Sequence, residues 1–173
     1  TEVGGLTGAL TVDASQVYAA GSVSGTVTNI GGLVGSHSAG ALSSAYHDTL
    51  TSGLLIGVGT SVGPATGAST GLTTTQLQAA LPGGFDDDHW GILPGESYPY
   101  FGTFYDGTPQ AISGMAYTDN GATIAAGVSV SGLVNGANLG SIASGANGYY
   151  SLIIAPNTIA ANSQVAVYTG GAS

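Results

Sequence analysis

The chain of 173 residues contains no lysine, no arginine and no cysteine. Nine carboxylates stand against no fixed cation, giving a formal net charge of -9. Such a polyanion cannot neutralise phosphates, which argues against nucleic acid as a partner. Anionic membrane surfaces repel it for the same reason. Without cysteine there are no disulfide staples and no thiolate chemistry. Long apolar runs are also missing. The longest, Leu152 to Pro156, is a strand's length, far short of the ~18 residues of a membrane helix. No signal peptide is expected, because Thr1 and Glu2 lead straight into patterned sequence. A chain with no trypsin site suits a life outside the cell.

What is abundant is glycine, 31 of 173 residues, well above the usual ~7%. The aliphatic and aromatic content is too high for disorder, so a chain that turns often is the better account. The turns recur. "GGLTG" (4–8) lies over "GGLVG" (31–35), and Tyr18 then falls opposite Tyr46 with one inserted residue. A fixed period of this size marks a solenoid. Each block holds three short runs, Val23 to Val27, Gly31 to Val34 and Ala41 to Tyr46, separated by Gly/Ser turns. Three strands in about 27 residues predict one coil of a parallel β-helix, with Leu6 stacked inside on Leu33 and Tyr18 near Tyr46.

The pattern G-G-L-V-G, a small-residue stretch, then A-Y-H-D-T-L-T-S-G (45–53) resembles the GLUG-type repeat of large bacterial surface adhesins related to filamentous haemagglutinin. The stretch "GLTTTQLQAALPGGFDDDHWGILPGESYPYF" (71–101) is similar to the segment that closes such arrays. The resemblance covers about residues 1–105 and implies a β-helical stalk. With two coils and part of a third, the sequence reads as a piece of a longer protein.

Residues 72–83 predict a helix. Thr73 is its N-cap, Gln76 completes a capping box, Leu72 and Leu77 occupy staple positions, and Pro82 and Gly83 stop it. Seven of the thirteen aromatic residues then follow between Phe85 and Tyr105. They make either a platform for sugar stacking or a cap that plugs the last coil.

From Asp106 onward the texture changes. "DNG" (119–121), "VNG" (134–136) and "ANG" (146–148) punctuate short β runs. Asn-Gly between alternating runs signals hairpins, and about seven short strands in a small antiparallel β-sandwich are predicted. Residues 108–169 resemble the carboxypeptidase-regulatory-like and Cna-B-like sandwich modules of surface proteins. Some of those carry a Lys–Asn isopeptide cross-link, which a chain without lysine cannot form.

Candidate chemistry is sparse. Asp86, Asp87, Asp88 and His89 form the densest polar cluster, readable as a solvated acidic loop or as a structural calcium site. Adjacent residues on an extended chain point apart, which favours the loop. A carboxylate pair for glycan hydrolysis would need Asp13 and Asp48 on one face, but they follow their "GGL" motifs by different distances. Lyase chemistry lacks the basic side chain it commonly uses. His37 and His47 lack metal-ligand spacing and are expected on the coil surface. A threonine face for ice has no repeat, because "LLIG" (54–57) stands one period after "TVTN" (26–29).

The sequence therefore predicts an all-β chain in three parts: β-helix coils over 1–70, a helix and aromatic cap over 71–105, and a β-sandwich module over 106–173. The expected function is that of a structural and adhesive stalk piece of a secreted or bacterial cell-surface adhesin, without catalytic, cofactor or metal residues. The expected partner is a ligand on a host or neighbouring cell, glycans included, with self-association into a filament as a further option. A carbohydrate-binding module using the aromatics near Trp90 is the alternative.

Overall fold

The computed structural model describes residues 2–170 and consists mostly of strands, an all-β architecture with two short helices. Residues 2–72 hold three successive strand triplets. These are β1 (Glu2–Gly4), β2 (Thr7–Leu10) and β3 (Ala14–Ala19); β4 (Asn29–Gly31), β5 (Val34–His37) and β6 (Ala41–Asp48); and β7 (Val58–Ser61), β8 (Thr66–Gly67) and β9 (Thr70–Leu72). Pairing between triplets is parallel throughout. Gly4 faces Gly31, Thr7 faces Val34 and Tyr18 faces Tyr46, the offsets read from the sequence. The third triplet sits closer, with Val34 opposite Val58.

A repeated irregularity decides which side chains turn inward. Gln16 (φ 54°) and Ser44 (φ 44°) both adopt the left-handed conformation, and both drop out of a ladder that pairs Ser15 with Ser43 and Val17 with Ala45. One extra residue in each strand switches the faces of the chain beyond it. Leu42 and Ala45, three positions apart, therefore both enter the core with Leu10, Ala19, Leu33 and Val34. Tyr18 and Tyr46 consequently point outward.

Three expectations change here. Val23 to Val27 forms no strand. The residues one period later belong to helix α1 (Thr49–Ser52), whose backbone groups bond within the turn, so no ladder partner exists; Val23 N–H donates instead to the Ser52 carbonyl at 3.3 Å. Leu6 and Leu33 are vertical neighbours through their backbones, with Leu6 N–H donating to the Leu33 carbonyl at 2.9 Å. Yet Leu33 is fully buried and Leu6 is 46% exposed; among the described residues no further strand pairs with the outer edge of the first triplet. His37 and His47 are buried rather than on the surface. His47 fits inside because glycines surround its ring: a Cβ on Gly32 would lie 2.4 Å from the His47 Cδ2, and one on Gly57 2.7 Å from its Nδ1.

Helix α2 (Thr74–Ala79) is shorter than the predicted 72–83, though its N-terminus is as expected. Thr73 caps it, the capping box with Gln76 is complete, and Leu77 is fully buried. Ala80 is already extended, two residues ahead of Pro82, which could not have continued the helix. Strands β10 (Trp90–Gly91) and β11 (Tyr100–Phe101) pair antiparallel and lead into a 3-10 turn over Gly102–Phe104.

The remaining strands are β12 (Gln110–Met115), β13 (Ser129–Val134), β14 (Ala137–Ala143), β15 (Tyr149–Ile154) and β16 (Val165–Thr169). They form two antiparallel sheets, β12–β15 and β14–β13–β16. The sheets touch where a Cβ on Gly132 would come within 2.9 Å of the Leu152 Cδ2. Among the described residues five strands thus stand where about seven were expected over 106–173, and 171–173 lie outside the described residues. Asn135 and Gly136, both at positive φ, make the β13–β14 hairpin that "VNG" announced. "DNG" closes only an isolated bridge between Tyr117 and Ile124. "ANG" makes no hairpin, because β15 leaves its predecessor to pair with β12.

Candidate functional site

The outward pair Tyr18 and Tyr46 receives the aromatic segment. The Phe85 ring centroid lies 6.4 Å from Tyr18 and 5.9 Å from Tyr46. Tyr18 donates its hydroxyl hydrogen to the Pro99 carbonyl at 2.6 Å, and Tyr46 donates to the Gly83 carbonyl at 2.8 Å. Burial pushes the Tyr18 hydroxyl up to about 12, so it remains a donor. The segment therefore covers the flank of β3 and β6, where a plug over the end of the stack was expected.

Trp90 stands at the centre of this cover. Phe85 and Phe101 pack on its ring at centroid distances of 4.6 and 4.2 Å, and Tyr18 meets it edge-on at 5.9 Å. Much of the indole is therefore already occupied by the protein itself. The accessible rings are Phe101 and Phe104, the latter 77% exposed. They border a groove of about 500 Å³ that also takes in Gln16, Asp86 and His89. A larger open cleft of about 800 Å³ lies between the first triplet and strands β14 and β15, bounded by Leu6, Tyr18, Trp90, Tyr98, Ile142 and Tyr150. That volume lies in the range of small-ligand sites.

Asp48 holds the junction together. Its side chain is fully buried. Its Oδ1 accepts from the Leu50 and Thr51 N–H groups at 2.8 and 3.1 Å, capping α1, and its Oδ2 accepts from the Tyr98 hydroxyl at 2.7 Å. Burial first, and then the Asp48 charge, hold the Tyr98 hydroxyl protonated far above the ordinary phenol range. Asp13 has a different task, accepting from the Ala41 N–H at 2.8 Å on an exposed edge. The two carboxylates considered for hydrolysis are thus each occupied as structural acceptors.

In the acidic loop, Asp86 accepts from the His89 N–H at 2.9 Å and pairs with its Nδ1 at 2.7 Å. Those bonds, the imidazole foremost, hold the Asp86 carboxyl below its usual range. Asp87 and Asp88 are exposed. Among the described residues no three His, Cys, Asp or Glu side chains converge as metal ligands would, and no helix is long and apolar enough to cross a membrane.

His47 Nδ1 lies 2.9 Å from the Ser69 Oγ. Burial pushes the imidazole below its ordinary value, so it stays neutral near pH 7. Neither the Asp48 hub nor the outward role of Tyr18 and Tyr46 was anticipated from the sequence. The hub had a signal in "DTLTSG" (48–53), with Asp48 as N-cap and Gly53 as left-handed C-cap.

Compared with known proteins, the chain matches no family model, no curated protein and no solved structure.

Proposed function

We propose that this chain is a non-catalytic structural and adhesive part of a secreted or cell-surface protein, a β-helical stalk end followed by a β-sandwich module. The observation that carries this reading is the in-register parallel ladder that sets Tyr18 on Tyr46 and Gly4 on Gly31. Successive triplets stacked this way make a stiff, extended body in which each layer contacts only its neighbours. The GLUG-like motif falls on the stacked strands, which is where an adhesin repeat would use it. The acidic surface keeps neighbouring copies apart in solution, and carboxylates engaged as caps and turn acceptors have structural work to do.

The alternative, a module that binds a neutral glycan, draws on one feature, the exposed Phe101 and Phe104 beside the groove at Asp86 and His89. The test uses beads coated with the purified chain and passed over cultured cells and over immobilised glycans. Retention on cells above albumin-coated beads, without release of reducing sugar from the glycans, supports the adhesive reading. Absence of retention, or steady release of reducing ends, overturns it.

A further inference from the structure

We propose that Asn120 is a site of spontaneous chemical modification, at which the side-chain amide is lost to water and a carboxylate takes its place. Asn-Gly pairs stand at 120–121, 135–136 and 147–148. A glycine after asparagine leaves the main-chain nitrogen unhindered, and that nitrogen can close a succinimide ring on the side-chain carbonyl carbon. The main-chain nitrogen of Gly121 loses its proton and attacks Asn120 Cγ. The N–Cγ bond forms as Cγ–Nδ2 breaks, and ammonia departs carrying that proton. Water then adds to one of the two ring carbonyl carbons. Breaking the new N–Cγ bond gives aspartate with the main chain unchanged. Breaking the original peptide bond gives isoaspartate, in which the main chain runs through Cγ. Either way one water is consumed and one ammonia released, and nothing is oxidised or reduced.

The three pairs share this chemistry, and their surroundings separate them. Ring closure needs a carboxamide free to turn and a main chain free to rotate toward it. Asn135 has neither. Its Oδ1 accepts from the Gln164 N–H at 2.8 Å, its Nδ2 donates to the Ser163 Oγ at 3.3 Å, and its own N–H donates to the Gln164 carbonyl at 2.8 Å. It also sits in the tight turn closed by the Val134 and Ala137 pair. Asn147 is held at both ends of its amide, with Oδ1 accepting from the Tyr149 N–H at 3.1 Å and Nδ2 donating to the Thr74 Oγ1 at 3.3 Å.

Asn120 is exposed, and among the described residues its carboxamide makes no hydrogen bond. The loop is tied instead by its neighbour Asp119, whose Oδ1 accepts from the Ala122 and Thr123 N–H groups at 2.7 and 2.9 Å. Gly121 has open space on its side-chain face, with nothing within 4 Å of a Cβ placed there, so the ring has room to form. The bond to release is from the Gly121 N–H to the Asp119 carbonyl, a contact across two residues at 2.7 Å. Each conversion adds a carboxylate to a chain already at -9. The inference rests on turn chemistry and stands whether or not the chain is adhesive.

The experiment ages the full chain in mildly alkaline buffer, folded in one arm and unfolded in urea in the other. Chymotryptic cleavage after Tyr117, Leu133, Leu139 and Tyr149 then puts each Asn-Gly pair on its own peptide. Mass spectrometry with electron-transfer fragmentation reads the loss of amide and tells aspartate from isoaspartate. With each rate divided by its value in urea, Asn120 of the folded chain should convert at least about tenfold faster than Asn135 or Asn147, whose amide bonds must first break. Isoaspartate should be among its products. Relative rates in the folded chain that do not favour Asn120 overturn the proposal. So does an Asn120 that stays intact over the time in which the unfolded chain converts.

Discussion

Tyr98 donates its hydroxyl hydrogen to the Asp48 Oδ2 at 2.7 Å, tying the aromatic segment to the corner where β6 becomes α1. The carboxylate is fully buried and its other oxygen is taken by the α1 N-terminus. Tyr98→Phe removes the donor to Oδ2 and leaves the buried carboxylate short of a hydrogen bond. The expected cost is about 2 kcal/mol, read as a lower urea midpoint with an unchanged slope. A variant as stable as the parent would show that the bond is dispensable.

His47 makes stability depend on acid. Burial lowers its folded pKa below the unfolded value, which is about 6.5, so the unfolded chain binds the proton more readily. The contribution is complete above about pH 6.5 and is lost as pH falls through that value toward the lower folded pKa. Urea midpoints between pH 7.5 and pH 5 should therefore decline. His47→Gln should flatten that decline; an unchanged slope against pH would place the effect elsewhere.

Glycine substitutions should separate two kinds of position. A Cβ on Gly31 would stand 2.1 Å from the Val34 carbonyl oxygen and 2.6 Å from that of Gly57, both backbone atoms. Gly31→Ala should destabilise by about 3 kcal/mol or more. Gly21 has nothing within 4 Å of the corresponding point, and Gly21→Ala should stay within about 0.5 kcal/mol of the parent. Thermal unfolding of the two variants side by side decides it.

The β13–β14 hairpin offers a local test. Gly136 sits at φ 83° after Asn135 at φ 49°. Gly136→Ala should cost about 1–2 kcal/mol, the strain of an L side chain in the left-handed region. Asn135→Gly should cost little. Chemical denaturation followed by far-ultraviolet circular dichroism would show both.

The repeat was legible because stacking copies residues. Gly4 on Gly31 and Tyr18 on Tyr46 are both sequence identities and ladder partners. The helix start at Thr73 was legible because a capping box is local. The side of the sheet that Tyr18 faces was hidden. Simple alternation sends it inward, and only the left-handed Gln16, an unusual residue for that conformation, turns it out. The burial of His47 was hidden for a related reason: a polar ring enters the interior where distant glycines make room, and Gly32, Gly57 and Gly71 lie in three separate segments. The strand expected at Val23 to Val27 failed because pairing depends on what lies one period later, not on the run itself.

The two halves of the molecule are joined by more than the chain between them. Ala146 N–H donates to the Thr51 carbonyl at 2.7 Å, Asn147 Nδ2 reaches the Thr74 Oγ1 at 3.3 Å and the Ser151 hydroxyl donates to the Glu96 carbonyl at 3.2 Å. Gln78 also bonds the Tyr149 hydroxyl. A pull applied at the far end of β16 would thus reach the first half through several such cross-ties at once. Rupture should proceed in shear across this seam, with the connecting stretch 105–109 slack until the seam has given way.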